Sequence, residues 1–272
     1  MEDGFLSLQD ILLITDMDGT LLGRDFKIPE RNIKAIHRFM EHGGNFAIAT
    51  GRSKMSGSQY FAQTNPNAPC VLLNGAILYD FKKKELLMKR CLPDGAMAYL
   101  KRVEELFPEI GVEVYTDEDI YITKDGRTVQ KHIENENLRC LFQAPGDDIS
   151  FCKGVFAGEP ELMQEVADYC LANPFPGVRF VASGDIYYEM LPDGVDKGLG
   201  LRELILRKKF QREHVFAIGD YFNDLELLRE AGVSAVPENA PEEVKAAADY
   251  TVCHCYDGAV ADFIELIERN YC

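Results

Sequence analysis

Two aspartates, Asp16 and Asp18, lie just beyond the apolar run at residues 11–14. In an extended chain residues i and i+2 point to the same side, so both carboxylates would lie just beyond the end of a buried strand. Two like charges held together cost free energy unless a positive group lies between them. Asp220 follows a second apolar run, 215–218, and would reach the same sheet edge if the two strands are neighbours. Three such carboxylates suit a hard divalent cation, above all Mg²⁺.

Residues that can bind phosphate are predicted near the same edge. After another predicted strand, Thr50 offers a hydroxyl group and Gly51 a closely approaching backbone N–H. Lys197 supplies an ammonium group at the predicted start of a helix, whose N-terminal end favours anions. Asn223 offers an amide donor, and Asp224 an acceptor behind it. Each of these residues alone also has a structural interpretation, because strand-end aspartates commonly cap helices and a single lysine is commonly a solvated surface residue.

The elements that would position these residues alternate between short apolar strands and amphipathic helices. Strands of this pattern are predicted at 11–15, 46–50, 70–74, 215–218, 233–236 and 250–252, and helices at 29–42, 53–63, 197–209, 223–231, 241–248 and 258–269. Continuous apolar strands that alternate with such helices indicate a parallel sheet covered on both faces. The predicted fold class is therefore α/β, with a three-layer, Rossmann-like core.

A long segment between the two parts of this core has a different pattern. It contains predicted strands at 112–116, 119–124, 151–158, 178–183 and 186–191, with helices at 127–138 and 160–172. Strands joined by tight turns imply an antiparallel sheet. We therefore predict an α/β core domain formed by residues 1–79 and 190–272, and an inserted α+β domain formed by residues 80–189.

Composition excludes several classes of partner. The formal net charge is -16, from 29 Lys+Arg against 45 Asp+Glu, which argues against binding to nucleic acid or to an anionic membrane surface. No protein partner is implied. The first residues, MEDGF, are acidic where a secretory signal is basic, and no apolar run approaches the ~18 residues that cross a bilayer. Because the eight cysteines are scattered, we expect reduced thiols in a cytoplasmic protein.

One short cysteine cluster, Cys253-His254-Cys255, could suggest a metal site. A structural zinc site needs four ligands, in paired spacings, and no second pair is near in the sequence. We expect these residues to be ordinary residues at the end of a strand.

Taken in order, four short segments resemble the four motifs of the haloacid dehalogenase superfamily of phosphohydrolases. They are DMDGT at 16–20, ATGR at 49–52, the lysine of DKGLGL at 196–201, and GDYFND at 219–224. The resemblance covers both parts of the core. Asn74-Gly75, followed by the long insertion, resembles the Cof-type branch, in which a large α/β cap of type IIB lies over the active site.

The resemblance implies a role for each matched residue. Asp16 would be the nucleophile that forms an aspartyl phosphate, and Asp18 the general acid and base. Mg²⁺ would be held by side-chain oxygens of Asp16 and Asp220 and by the backbone carbonyl of Asp18. Asp224 would lie behind these residues as an acceptor. Binding of the phosphoryl oxygens would fall to the Met17 backbone, Thr50, Gly51, Lys197 and Asn223.

The implied activity is Mg²⁺-dependent hydrolysis of small phosphorylated metabolites, especially sugar phosphates. Two alternatives stay open: a phosphotransferase or mutase on the same fold, and a non-catalytic sensor of phosphorylated ligands. Release of halide is disfavoured, because a dehalogenase has no need of Asp18 or of a Mg²⁺ site. Lys153, Arg179 and Tyr187 are candidates for contact with the leaving group, although each alone is more commonly a strand residue that faces solvent or core.

Overall fold

The computed structural model describes residues 6–146 and 149–272. The chain divides into two compact units. The first consists of Met1–Thr50, Gln59–Leu87 and Asp196–Cys272, and the second of Gly51–Ser58 and Met88–Val195. Residues 51–58 therefore belong to the second unit by compactness, although the sequence analysis had assigned them to the core.

The strands are β1 (Leu12–Thr15), β2 (Asn45–Ile48), β3 (Cys70–Leu72), β4 (Ile77–Asp80), β5 (Glu85–Lys89), β6 (Gly111–Tyr115), β7 (Ile120–Lys124), β8 (Cys140–Leu141), β9 (Lys153–Ala157), β10 (Val178–Ala182), β11 (Tyr187–Pro192), β12 (Val215–Ile218), β13 (Val233–Pro237) and β14 (Tyr250–Val252). The α-helices are α1 (Glu30–Glu41), α2 (Ser58–Thr64), α3 (Ala96–Leu106), α4 (Arg127–Glu136), α5 (Pro160–Ala172), α6 (Lys197–Lys208), α7 (Leu225–Glu230), α8 (Glu242–Lys245) and α9 (Ala259–Asn270).

The core of the first unit is a parallel sheet with strand order β14-β13-β12-β1-β2. Every residue of β1 and β12 is buried, as continuous apolar strands require. The chain moves from β1 to β2 in one direction and from β12 to β13 in the other. Right-handed crossovers therefore place α1 and α7 on opposite faces of the sheet. This arrangement confirms the predicted α/β fold with a parallel-sheet core.

A second, three-stranded sheet follows in the first unit, with order β3-β4-β5. β3 pairs with β4 in antiparallel fashion. A parallel bridge between Ala49 and Val71 joins β3 to the chain at the end of β2. The turn between β3 and β4 contains Gly75, which has φ +101° and packs so closely on the Asp196 carbonyl that a Cβ atom would overlap it. Glycine is therefore required at this position. β4 and β5 are not among the strands predicted from the sequence.

The second unit contains a six-stranded sheet with order β10-β11-β9-β6-β7-β8, antiparallel except for the β7–β8 pair. α3 and α5 pack on one face of this sheet and enclose an apolar core that includes Leu100, Phe156 and Val166. The unit is α+β, as predicted, but the sequence analysis did not place α3. Across the described part of the chain, no helix is both long and apolar enough to cross a membrane.

One helix begins later than predicted. The sequence pattern favoured a helix from 53 to 63, whereas α2 starts at Ser58. The Ser56 hydroxyl accepts from the backbone N–H of Ser53 at 2.9 Å, and the Ser53 hydroxyl accepts from that of Ser56 at 3.1 Å. These reciprocal bonds cap a separate turn, in which the Gly57 N–H donates to the Ser53 carbonyl at 3.0 Å, and α2 begins only after it.

A largely buried histidine joins α4 to the sheet of the second unit. His132 lies between two carboxylates, with Nδ1 2.9 Å from Glu113 Oε1 and Nε2 3.2 Å from Glu136 Oε2. Burial alone would lower the pKa of His132, but hydrogen bonds to Glu113 and Glu136 raise it from 6.5 to about 10. His132 is therefore charged at neutral pH. The Tyr187 ring lies 5.2 Å from the imidazole, and the Tyr115 hydroxyl donates to Glu113 at 2.5 Å.

Replacing His132 by glutamine should lower the free energy of unfolding more at pH 6 than at pH 10.5. A folded-state pKa raised from 6.5 to about 10 contributes stability that is fully present below pH 6.5 and is lost as the pH rises through about 10. The expected loss at pH 6 is on the order of a few kcal/mol. Urea denaturation of both proteins at the two pH values, with reductant present, measures it. An equal loss at both would contradict a charged histidine.

Candidate active site

Asp16 occupies the carboxyl end of β1, next to the end of β12. Its backbone N–H donates to the Ile218 carbonyl at 2.8 Å, and its side chain is buried, with 5% exposure. These two adjacent strands are the point at which the strand order reverses direction. Ligands of open α/β sheets bind outside the carboxyl ends of strands at such a point. The fold therefore places Asp16 where a ligand is expected.

The chain turns sharply after Asp18, and Asp16 and Asp18 differ in exposure. Gly19 has φ +78°, and a Cβ atom on it would overlap the Asp220 carboxylate. The side chain of Asp18 is exposed, whereas that of Asp16 is buried. Besides burial, repulsion from the Asp18 carboxylate helps to raise the pKa of both Asp16 and Asp220, so Asp18 lies near these two residues. A role for the Asp18 backbone carbonyl stays a prediction.

Lys197 is the first residue of α6 and is almost completely buried, with 1% exposure. Asp196 caps this helix by accepting from the Leu199 N–H at 2.7 Å. The Lys197 ammonium donates to Asp16 Oδ1 and to Asp224 Oδ1, both at 2.6 Å. Burial alone would lower the pKa of Lys197, but these two carboxylates raise it above its ordinary value. The ammonium therefore stays charged in the interior.

Two further carboxylates complete the cluster. Asp220 follows β12, and its Oδ1 accepts a hydrogen bond from the Thr20 hydroxyl at 2.8 Å. Asp224 Oδ2 accepts from the backbone N–H groups of Asp220 and Tyr221, both at 3.0 Å. Asp224 thus orients the loop after β12 and also binds Lys197, so it acts both as a local cap and as a member of the cluster.

The cluster fits a divalent cation. Asp16, Asp220 and Asp224 each offer a carboxylate oxygen, and these atoms lie within 4.8 Å of one another. The pKa of Asp16 is raised well above its ordinary value, mainly by burial and next by repulsion from the Asp224 carboxylate. The same two causes raise the pKa of Asp220 to about 7. The Lys197 ammonium therefore binds Asp16 and Asp224 and acts on Asp220 through its charge. A second positive charge would stabilise their ionised forms, and hard oxygen ligands suit a cation of the Mg²⁺ or Ca²⁺ type.

Two of the predicted phosphate-binding residues, Thr50 and Asn223, are linked by hydrogen bonds through Asn74. Thr50 is buried at the end of β2, and its carbonyl accepts from the Asn74 N–H at 3.0 Å. The Asn74 side chain in turn accepts from Asn223 Nδ2 at 3.3 Å. Met17 is buried next to Asp16 in the chain, and Lys197 binds Asp16 directly. Gly51 is the first residue of the second unit.

Two residues that the sequence analysis missed hold the loop after β1. Thr20 binds Asp220, as described above, and Asn239 Nδ2 donates to the Gly19 carbonyl at 2.8 Å. Asn239 Oδ1 also accepts from the Cys255 N–H at 3.1 Å, so one amide connects three loops. Thr20 lies within the first motif and could have been singled out there. Asn239 is 220 residues from Gly19, and no local pattern in the sequence marks it.

The three candidate leaving-group residues lie in the second unit. Lys153 Nζ binds Glu189 and the Gly51 carbonyl, and Arg179 Nη1 donates to the Val195 carbonyl at 3.2 Å. Tyr187 packs on His132. The Cys253–Cys255 segment directly follows β14, and all eight cysteines of the chain are free thiols.

Comparison with known protein families is consistent with this geometry. The family model for haloacid dehalogenase-like hydrolases matches residues 13–264, which include all four motifs. The chain belongs to this family. The resemblance inferred from the motifs is thereby confirmed.

Relatives and solved structures of this family cover nearly the whole chain. The 5-amino-6-(5-phospho-D-ribitylamino)uracil phosphatase YitU of Bacillus subtilis is 26% identical over 262 residues, covering 93% of this chain and 96% of its own. A haloacid dehalogenase-like hydrolase from Bacteroides thetaiotaomicron has a TM-score of 0.84 and 26% identity, covering 94% and 99% of the two chains. The subclass IIB sugar phosphatase BT4131 has a TM-score of 0.83 at 20% identity, covering 95% and 99%, and supports the fold alone. Family membership and the similarity to YitU support the predicted enzyme class, a phosphatase.

Proposed function

We propose that this hydrolase removes the phosphoryl group from small phosphorylated metabolites, with Mg²⁺ as cofactor and an aspartyl phosphate on Asp16 as intermediate. The observation that carries the proposal is the buried Asp16 carboxylate, bound by Lys197 and clustered with Asp220 and Asp224. Burying a carboxylate among like charges costs free energy, and a role in catalysis accounts for its presence.

In the proposed first step, an Asp16 carboxylate oxygen attacks phosphorus. A bond forms between that oxygen and phosphorus, and the bond from phosphorus to the leaving alkoxide breaks. Asp18, protonated at this stage, donates its proton to the leaving oxygen. The exposed position of Asp18 suits this exchange, because its carboxyl group must gain and lose a proton in each cycle.

In the second step, ionised Asp18 takes a proton from water, which attacks phosphorus of the aspartyl phosphate. The bond between phosphorus and the Asp16 oxygen then breaks, and inorganic phosphate leaves. Splitting the displacement in this way replaces one difficult step by two easier ones. Asp16 is restored as a carboxylate and binds Lys197 again.

The remaining matched residues would bind the cation and the phosphoryl oxygens. Asp16, Asp220 and the Asp18 carbonyl would hold Mg²⁺, which supplies positive charge to the phosphoryl oxygens. Lys197, Thr50, Asn223 and the backbone N–H groups of Met17 and Gly51 would bind those same oxygens. Such preorganised donors supply most of the rate enhancement in phosphoryl transfer.

The substrate class is proposed from the relatives. YitU is named for a phosphorylated ribityl compound, a small metabolite with a sugar-derived chain. We therefore propose small phosphorylated metabolites, with sugar phosphates the first to be screened. A phosphotransferase would use the same aspartyl phosphate but return the phosphoryl group to another hydroxyl. Product analysis by ³¹P NMR with excess acceptor alcohol separates the two, because persistent transfer without phosphate release would refute the hydrolase.

Removal of the divalent cation should abolish turnover. With p-nitrophenyl phosphate as substrate, excess EDTA is expected to lower kcat by about 10³-fold or more, since the cation supplies several kcal/mol of charge stabilisation. Added Mg²⁺ should restore the rate. It should also raise the thermal midpoint of the substrate-free protein, a readout that does not depend on catalysis. Equal rates with chelator and with Mg²⁺ would refute the metal assignment.

A further inference from the structure

Lys153 is a buried lysine in the second unit that binds a backbone carbonyl of the second motif. It lies on β9 with only 4% exposure, and its ammonium donates to the Gly51 carbonyl at 3.0 Å and to Glu189 Oε1 at 2.8 Å. The ammonium also lies 5.1 Å from the centre of the Tyr115 ring. Three neighbouring groups therefore fix the position of the Lys153 ammonium.

The neighbours of Lys153 fix it in this place. Glu189 lies on the adjacent strand β11, and its Oε1 also accepts from the Ser183 hydroxyl at 2.6 Å. A buried ammonium needs a charged partner, and Glu189 provides it. The bond to the Gly51 carbonyl is thus additional to the charge pairing. Bonds from a charged donor are stronger than neutral ones, and they act here on a glycine, whose backbone is otherwise the most freely rotating of any residue.

The residue after Gly51 is held in a similar way. Arg52 Nη1 lies 2.5 Å from Glu136 Oε1, and both side chains are largely buried, with 8% and 15% exposure. Glu136 also binds His132, which connects this pair to α4 and β6. Two consecutive residues directly after Thr50 are therefore held by two separate buried ion pairs of the second unit.

We propose that Lys153 is a positioning residue for phosphate binding, acting through the Gly51 carbonyl rather than by contact with the leaving group. The proposal rests on the proposed function, in which Thr50 and the Gly51 N–H bind the phosphoryl oxygens. Lys153 orients the peptide that follows Gly51, and thereby restricts the backbone on which both donors depend. This replaces the sequence-based hypothesis that Lys153 touches the leaving group.

The test compares three variants. Lys153→Met removes the ammonium but leaves the Glu189 carboxylate buried and unpaired. Lys153→Met combined with Glu189→Met removes both charges, and an apolar pair of similar volume is commonly tolerated. Lys89→Met is the matched control, because Lys89 forms an ion pair of 2.6 Å with Asp117 in the same unit and has no bond to Gly51.

The measurements distinguish a role of Lys153 in phosphate binding from a role in stability alone. Affinity for inorganic phosphate with Mg²⁺ is measured by calorimetry, and kcat/KM is measured for p-nitrophenyl phosphate and for a sugar phosphate. Both Lys153 variants should bind phosphate about 10- to 100-fold more weakly, the effect of one charge-assisted hydrogen bond. Both substrates should lose kcat/KM by the same factor, because the leaving group is not involved. The double variant should recover thermal stability without recovering either property, and Lys89→Met should resemble the wild type.

Several results would overturn the inference. Unchanged phosphate affinity with a loss for one substrate alone would assign Lys153 to the leaving group. Recovery of affinity together with stability in the double variant would make its role merely structural. A wild type that binds phosphate but hydrolyses no ester would refute the proposed function, while the phosphate affinities would still decide the role of Lys153. A wild type that neither binds phosphate nor hydrolyses esters would refute both.

Discussion

The Asp16→Asn variant is expected to fold normally and to have lost turnover, with kcat lowered by roughly 10⁴-fold or more, as when other covalent nucleophiles are removed. An amide cannot form the acyl phosphate, so the two-step route is closed. Folding should persist because Asp16 is a buried carboxylate among like charges, and its replacement by a neutral isostere relieves that repulsion. Lys197 keeps Asp224 as its partner.

Two measurements test this prediction: the turnover rate, and trapping of the phosphorylated protein. Turnover of p-nitrophenyl phosphate gives kcat, and circular dichroism with thermal melting checks the fold. Acid quench and peptide mass analysis then locate the phosphoryl group. Asp18→Asn should accumulate the aspartyl phosphate on Asp16, because its breakdown lacks a base, whereas Asp16→Asn should show none. Asp25→Asn, an exposed aspartate just beyond the first motif, is the matched control and should resemble the wild type.

Surviving activity in Asp16→Asn would disprove the nucleophile. A phosphoryl group trapped on a different residue would do so as well. Loss of activity together with loss of the folded signal would point instead to a structural need for the Asp16–Lys197 pair.

The parallel core could be predicted because its strands are apolar throughout. β1 and β12 are buried on both faces, so the sequence shows continuous apolar runs, and the residues that follow them necessarily lie at the ligand-binding edge. The local path of the chain after β1 could not be predicted from the sequence. The side chain of Asp18 is exposed although that of Asp16 is buried, and the turn at Gly19 depends on the close approach of Asp220 from a distant part of the sequence.

Buried polar residues of the second unit were equally hard to predict. Glu113, Lys153 and Glu189 lie in strands, where a polar residue ordinarily marks the solvent-facing side. They are buried because each finds a partner of opposite charge, and those partners lie on other elements. Pairing of this kind is a property of the tertiary structure, and no periodicity reveals it. α3 differs, since the turn residues Asp94-Gly95 and the apolar spacing that follows them did carry a signal.

Lys197→Met should reduce both stability and activity. The change leaves Asp16 and Asp224 without their shared ammonium, and breaking a buried ion pair from one side costs about 3–5 kcal/mol. The loss should be smaller at pH 5 than at pH 8, because burial raises the pKa of Asp16 well above its ordinary value, and protonation at the lower pH removes its unpaired charge. Activity should fall about 10²- to 10³-fold, as when one donor to the transition state is removed.

Urea denaturation at both pH values and turnover of p-nitrophenyl phosphate measure these effects. Lys208→Met is the matched control, since it removes a lysine of the same helix, α6, that lies 3.5 Å from Asp80 and outside the cluster. Mg²⁺ should stabilise Lys197→Met at least as much as the wild type, because the cation then becomes the main positive charge among the carboxylates. A Lys197→Met protein as stable and active as Lys208→Met would show that the ammonium neither balances the cluster nor contributes to phosphoryl transfer.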